Sequence, residues 1–357
     1  MSRSAVRVRS SAPRFGAPSG RFLFAALRMR EDAWNMRCMP DACFIMPHYR
    51  EHPLGRRWLR AAIASLFAQT DDRWRLVLVD DASPDAGVRV ELNALRARFP
   101  ERIHVLYNRA RRGPGYCRNR ALRYAARLGA EIALFLDADD TAHPARLVRT
   151  RAVFARHRRV DVVYSPFRVI DELGRTVPAA RLSPSIRQIQ SALRRPPTGE
   201  DVWLEMGLRS GYVNLTSATS VRIALALRQP FPAYHVSEDF HTWMRYAAAG
   251  RRFYFIRSIP AGYRIPSGVR GSHSRRRMGG EFYRRKARVD SEGFEIALRI
   301  AHARGRLREG QVAELRRAFA QTLCRLLAEE GMTRDEVARM VSSIQNEKNI
   351  QSSCSLA

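Results

Sequence analysis

The sequence predicts an α/β fold: a mostly parallel, doubly wound sheet flanked by helices and followed by a C-terminal helical appendage. Three observations carry that expectation. Between Cys43 and Tyr164, strand-length apolar runs alternate with segments of helical spacing, the rhythm of parallel sheets. One run, Leu134-Phe135-Leu136, stops abruptly in Asp137-Ala138-Asp139-Asp140. Three carboxylates thus fall at a strand's C-terminal end, where open α/β sheets bind ligands. Finally, 357 residues with 45% apolar content can bury a sizeable core.

In order, Cys43-Phe44-Ile45-Met46, stopped by Pro47, reads as the first strand. Leu59, Ile63, Leu66 and Phe67 then recur at helical spacing. Residues 74–79 form a second strand ending in the turn-rich Asp80-Asp81-Ala82-Ser83-Pro84-Asp85. Residues 92–99 read as helix and 103–107 as a third strand. Gly113-Pro114-Gly115 makes a loop before a helix over 117–128, and 132–136 is the fourth strand. A helix over 146–157 and a strand over 160–164 complete the alternation. Pro178, Pro184, Pro196 and Pro197 break the pattern, so 170–212 reads as a loop-rich insertion. Residues 243–249 read as helix and 253–256 as strand. Beyond 290, Ile296, Leu298, Ile300, Leu307, Leu315, Phe319 and Leu323 indicate two or three amphipathic helices. The expected organisation is a disordered basic extension over 1–40, an α/β domain over 41–275, a helical region over 276–345 and a disordered tail over 346–357.

The net charge is +29, and of the 63 basic residues only Lys286 and Lys348 are lysines. GC-rich coding also produces such an arginine bias, which weakens a nucleic-acid reading; no nucleic-acid-binding motif accompanies the charge. A basic surface still favours phosphates or acidic lipid headgroups. The stretch from Arg270 to Arg288 carries eight basic residues and one acid, Glu281; it reads equally as an anion-attracting face and as a solvated arginine-rich surface. The five cysteines, Cys38, Cys43, Cys117, Cys324 and Cys354, form no CxxC pair, so neither a zinc site nor a disulfide framework is expected. Reduced thiols and the lack of any apolar stretch of membrane-spanning length fit a cytoplasmic protein, with peripheral contact at an acidic membrane face as an extension of that reading.

Three acidic clusters stand out: Asp80-Asp81, Asp137 with Asp139 and Asp140, and Glu238-Asp239. Alone, the second is equally a solvated turn, and the third reads first as a helix start capped by Ser237 or Asp239. Parallel strand ends share one edge, so the first two clusters are expected in a common cleft.

The motifs, taken in order, resemble those of an inverting family 2 glycosyltransferase of the GT-A type, over about two-thirds of the chain from Phe44 to Ser274. Met46-Pro47-His48-Tyr49-Arg50 is similar to the family's opening strand and Pro-x-Tyr-Asn loop, with Arg50 replacing Asn. Ile63-Ala64-Ser65-Leu66 with Gln69-Thr70 resembles the first helix and its exit. Val79-Asp80-Asp81-Ala82-Ser83-Pro84-Asp85 resembles the nucleotide-binding loop. Asn108 through Gly113, then Arg118-Asn119, resembles the Asn…Gly…Ala-Arg-Asn segment, with Cys117 replacing Ala. Leu136-Asp137-Ala138-Asp139-Asp140 resembles the Asp-x-Asp motif, and Glu238-Asp239 the catalytic Glu-Asp pair.

The resemblance implies a metal-dependent enzyme that moves one sugar from a nucleotide-diphosphate sugar to an acceptor hydroxyl with inversion. A Mg²⁺ or Mn²⁺ would stabilise the diphosphate leaving group, and a carboxylate would take the acceptor's proton. By the same resemblance, Asp239 is the candidate base, with Glu238 beside it in the acceptor pocket. Asp139 would ligate the metal and Asp137 would face the ribose or metal shell, while Asp140 could replace either. His273 is a weaker metal candidate, since an ordinary loop histidine explains it better. Asp81 would contact the base with Asp80 in support, Pro47 and Tyr49 would shape the base pocket, and Arg118 would lie near the ribose or diphosphate. A UDP-sugar is the first choice of donor, and a glycan or lipid-linked molecule the acceptor, as in surface polysaccharide or glycolipid synthesis. The family's polymerising members usually carry Gln-x-x-Arg-Trp after the base; here the chain reads His241-Thr242-Trp243-Met244-Arg245, which argues for single addition. A nucleotidyltransferase of similar fold is the alternative enzyme, but no Gly-rich, Lys-containing loop follows the first strand. A basic nucleic-acid-binding protein is the alternative outside enzymes.

Overall fold

A seven-stranded sheet with the order β3-β2-β1-β4-β7-β5-β8 organises the molecule, and a two-stranded β6-β9 sheet lies apart from it. The computed structural model describes residues 39–266, 278, 281–329, 332–333, 335–337 and 339. His273, most of the expected N-terminal extension and the expected C-terminal tail lie outside these residues. The strands are β1 (Ala42–His48), β2 (Trp74–Asp80), β3 (Ile103–Tyr107), β4 (Ile132–Phe135), β5 (Val160–Tyr164), β6 (Phe167–Ile170), β7 (Thr219–Arg222), β8 (Arg252–Phe255) and β9 (Ala261–Arg264). The helices are α1 (Gly55–Phe67), α2 (Ala86–Arg98), α3 (Pro114–Arg127), α4 (Arg146–Arg156), α5 (Pro184–Ala192), α6 (Val202–Glu205), α7 (Ile223–Arg228), α8 (Glu238–Ala249), α9 (Glu281–Ala303) and α10 (Glu309–Glu329).

β1 pairs in parallel with β2 and β4, and β2 with β3. β1, β2 and β4 are buried on both faces, which is why they read as largely apolar runs rather than alternating ones. The register sets His48 beside Asp80, so the ends of β1 and β2 reach the same edge.

β7 is antiparallel to both β4 and β5. It was not foreseen, because Thr-Ser-Val-Arg is short and only weakly apolar. Its place is fixed from outside: Arg146, buried in α4, donates from Nη2 to Phe135 O at 2.8 Å and to Thr219 O at 3.0 Å. The expected loop-rich insertion holds α5, α6 and a π-helical turn over Met206–Ser210. Pro184 opens α5, where a missing N–H costs nothing. Likewise α3 starts at Pro114 and α8 at Glu238, both earlier than the apolar periodicity indicates.

The described residues from Pro40 onward form one compact unit. α9 lies against α8 so closely that a Cβ on Gly293 would sit 2.8 Å from His241 Cα. Phe294 of α9 stacks on Phe319 of α10 with ring centroids 4.2 Å apart, and both belong to the core shared with Trp203 and Trp243. Each such aromatic, fully buried, contributes roughly 2–3 kcal/mol. The C-terminal helices are therefore part of the wall around the site. Trp243 is fully buried core.

Candidate active site

The loops after β1, β2 and β4 meet the N-terminus of α8 around a cavity of about 520 Å³. Pro47, Tyr49, Asp81, Arg118, Asp137, Asp139, Asp140, Glu238 and Asp239 all line it. Asp80 stands behind this wall. Its Oδ1 pairs with His48 Nδ1 at 2.8 Å and accepts from Ser83 Oγ at 2.6 Å. Burial works against its charge, but these bonds win and hold its carboxyl below the usual range. Asp80 thus ties the β1 exit to the β2 loop.

Asp81 organises the loop opposite. Oδ1 accepts from Asn108 Nδ2 at 2.6 Å and Arg112 N at 2.9 Å, and Oδ2 from Gly113 N at 2.7 Å. Gly113 adopts φ +87°, and a Cβ there would lie 2.8 Å from the His235 ring, so this corner requires glycine. The Arg111 guanidinium lies 3.8 Å from the centre of the Tyr49 ring, giving the Pro47–Tyr49 slot a cationic lid. Arg50, where the family usually has Asn, is buried and donates from Nη1 to Glu91 Oε2 at 2.8 Å.

The β4 loop is clamped from α1. Gln69 donates to His143 O at 2.9 Å and accepts from Leu147 N at 3.0 Å, while Ala142 N donates to Ser65 Oγ at 3.0 Å. On the other side Arg264 N donates to Asp140 Oδ1 at 2.8 Å and Arg264 Nε to Asp139 O at 2.6 Å. Asp140 is consequently 1% exposed, whereas Asp137 and Asp139 keep part of their surface open. Burial and then the charge of Asp137 push the Asp139 carboxyl up to about 6. Burial and its two neighbours raise Asp140 further.

Arg118, buried in α3, joins the acidic clusters. Nη2 donates to Asp137 Oδ1 at 2.7 Å and Nη1 to Glu238 Oε1 at 2.8 Å. Burial disfavours its charge, but the two carboxylates more than restore it. Its Nε is buried with no hydrogen-bond partner. Burial, then repulsion from Asp239, pushes Glu238 up to about 7 despite Arg118.

Asp239 is held on both oxygens. Oδ1 accepts from Tyr212 OH at 2.8 Å and Phe240 N at 2.8 Å, and Oδ2 from Thr216 Oγ1 at 3.2 Å. The residue before the pair, Ser237, sits at φ +58°, an uncommon conformation for a side chain with a Cβ. Tyr212, Thr216 and Ser217 were not singled out from the sequence; they lie in an irregular stretch that carries no periodic signal. Ser217 Oγ accepts from Asp137 N at 3.0 Å.

Among the described residues no three His, Cys, Asp or Glu side chains converge as a ready-made metal cage. The acidic set still fits a cation shared with phosphates, because Mg²⁺ is commonly held by one or two carboxylates while phosphate oxygens and water fill the remaining positions.

A mostly parallel sheet with one reversed strand, and carboxylates gathered at its C-terminal edge, defines the GT-A class of fold. The crystal structure of S. aureus TarS 1-349 in complex with UDP is similar at a TM-score of 0.52, covering 88% of this chain and 91% of that one at 18% identity, a likeness of fold. Residues 43–213 match glycosyl transferase family 2. EpsE of Bacillus subtilis, named as a glycosyltransferase, is 29% identical over 198 residues, 56% of this chain and 65% of EpsE. The succinoglycan biosynthesis protein ExoW of Rhizobium meliloti is 35% identical over 110 residues, 31% of this chain and 33% of ExoW. The chain thus spans less than two thirds of the length of these curated relatives. Among the described residues no helix is long and apolar enough to cross a membrane.

Proposed function

We propose that this protein transfers a single sugar from a nucleotide-diphosphate sugar to an acceptor hydroxyl with inversion, in surface polysaccharide or glycolipid synthesis. The observation that carries this reading is the spatial division of the acids. Arg118 holds Asp137 through Nη2 and Glu238 through Nη1, and Asp139 and Asp239 line the same cavity. A leaving diphosphate and an incoming hydroxyl need two such separate stations.

Asp137 and Asp139 are the residues that would hold Mg²⁺ or Mn²⁺, and Asp140 braces them from below. When bound, the ion would neutralise charge growing on the diphosphate. The partnerless Nε of Arg118 supports an anionic oxygen nearby, since a buried donor without a partner is costly. The Pro47–Tyr49 slot under Arg111 would take the base, with Asp81 shaping its far wall through the 108–113 loop. UDP is the preferred nucleotide, following the TarS complex. Asp239 would take the proton from the acceptor hydroxyl, and Glu238 would line the acceptor side.

Met206, Leu215, Phe319, Leu323 and Leu327 give the cavity an apolar wall, which favours a lipid-linked acceptor over a free glycan. The name of ExoW supports the wider setting.

Thermal shift with a panel of UDP-, GDP- and dTDP-nucleotides and sugars, each with and without Mn²⁺, tests the reading. A Mn²⁺-dependent rise with at least one nucleoside diphosphate is expected. No such rise with any of them would overturn it.

A further inference from the structure

Four oxygens run in a line from the candidate base into the C-terminal helix. Asp239 Oδ1 lies 2.8 Å from Tyr212 OH, which lies 2.7 Å from Ser237 Oγ, which lies 2.5 Å from Asp290 Oδ1. Each separation is a hydrogen-bond distance. Asp290 stands on α9, 3% exposed, and its Oδ2 accepts from Lys286 Nζ. Lys286 in turn lies 5.1 Å from the Tyr212 ring centre and 5.4 Å from that of Phe240.

The proton count decides what this line can do. Three contacts need three protons, but the two hydroxyls supply one each. With both carboxylates ionised, one contact has no hydrogen and sets two oxygens against each other. With one proton added, all three contacts fill, whichever carboxyl carries it. The line is therefore a sink for one proton.

We infer that Asp239, Tyr212, Ser237 and Asp290 form one proton-accepting unit, in which Asp290 and Lys286 are positioning residues that set the basicity of Asp239. This rests on the reading of Asp239 as the base. In the transfer, the acceptor O–H bond breaks and its oxygen bonds the sugar carbon. The bond from that carbon to the diphosphate breaks with its electron pair leaving on the phosphate. The proton goes to Asp239, at Oδ1 directly or at Oδ2 followed by a half-turn of the carboxyl. Asp239 then donates to Tyr212, Tyr212 to Ser237 and Ser237 to Asp290. At the far end burial raises the Asp290 carboxyl, and Lys286 offsets part of that rise. The other groups facing the unit are Glu238, Arg118, Thr216 and Tyr263 around Asp239. Burial, followed by the two aspartates, holds the Tyr212 hydroxyl protonated, so it relays a proton without ionising.

Two readouts test the unit, and the first needs no activity. Melting temperature is followed from pH 5 to 8 for the native chain and for Asp290→Asn. An Asn side chain can donate to Ser237 while accepting from Lys286, which fills the line without a further proton. The native chain should gain stability relative to Asp290→Asn as pH falls. Tyr212→Phe or Ser237→Ala, each of which cuts the line, should abolish that difference. If the difference persists in either background, Asp290 titrates alone and the inference is overturned.

The second readout uses whichever nucleotide sugar gives the largest Mn²⁺-dependent thermal shift, with water as acceptor. Asp290→Asn should lower kcat and move the acid limb of the pH profile down by about one unit, with donor KM unchanged. Loss of rate without movement of the limb would also overturn the inference. Failure of every nucleotide to bind would instead sink the proposed function and leave the melting series to judge the unit.

Discussion

Arg118 Nη1 donates to Glu238 Oε1 at 2.8 Å, joining residues 120 positions apart in sequence. The same guanidinium holds Asp137 at 2.7 Å, so one buried cation sets the spacing between the two acidic stations. Removing it strands two carboxylates. Arg118→Met should cost about 3–5 kcal/mol of stability, read by chemical denaturation, and should abolish nucleotide-dependent thermal shifts.

Glu238 gives a pH dependence with a definite sign. Burial and Asp239 push its carboxyl from 4.5 to about 7 in the folded chain. The folded state therefore holds the proton more tightly than the unfolded one. Stability contributed by the protonated form is present below about 4.5 and lost as pH rises towards 7. Glu238→Gln mimics that form and still accepts from Arg118. It should melt higher than the native chain at pH 8, by about 2 °C, with the gap closing at pH 5.

Asp239→Asn should abolish transfer by roughly 10²–10⁴-fold, the usual weight of a general base, while donor binding by calorimetry stays unchanged. Equal loss of both would mean that the base lies elsewhere.

Asp139→Asn separates the ion from the nucleotide. The Mn²⁺-dependent part of the thermal shift with UDP should disappear while any metal-independent part remains. Asp140→Asn keeps an oxygen to accept from the Arg264 N–H and removes a buried charge opposed by Asp139 and Asp137; it should instead leave stability undiminished at neutral pH without selectively removing the Mn²⁺ response.

Gly113→Ala tests the nucleotide-loop corner. With φ at +87° and His235 only 2.8 Å from the new Cβ, it should destabilise by about 1–3 kcal/mol. It should also weaken UDP binding, because the Asp81 clasp depends on Gly113 N.

Several of these residues were visible in the linear chain. Asp81, Asp137, Asp139, Glu238 and Asp239 follow strand-length apolar runs or open a helix, and all reach the cavity. Asp80, expected in support of Asp81, faces His48 and Ser83, since successive strand residues point to opposite faces. Tyr212, Ser237 and Asp290 gave no joint signal, because they meet only when α9 packs along α8.

The sequence by itself determined the alternating α/β order, the three acidic clusters and the strand ends that carry them. Those are local properties, set by apolar periodicity and by the abrupt change from buried side chains to carboxylates. Only the tertiary structure decided that β7 runs antiparallel between β4 and β5. It also decided that Asp140 turns inward while Asp137 and Asp139 stay open, and that Lys286 and Asp290 of the last helices reach the line leading to Asp239. Each of these depends on strand pairing or helix packing between residues far apart in the chain, and no local pattern of hydrophobicity or charge specifies which distant partner a side chain will meet.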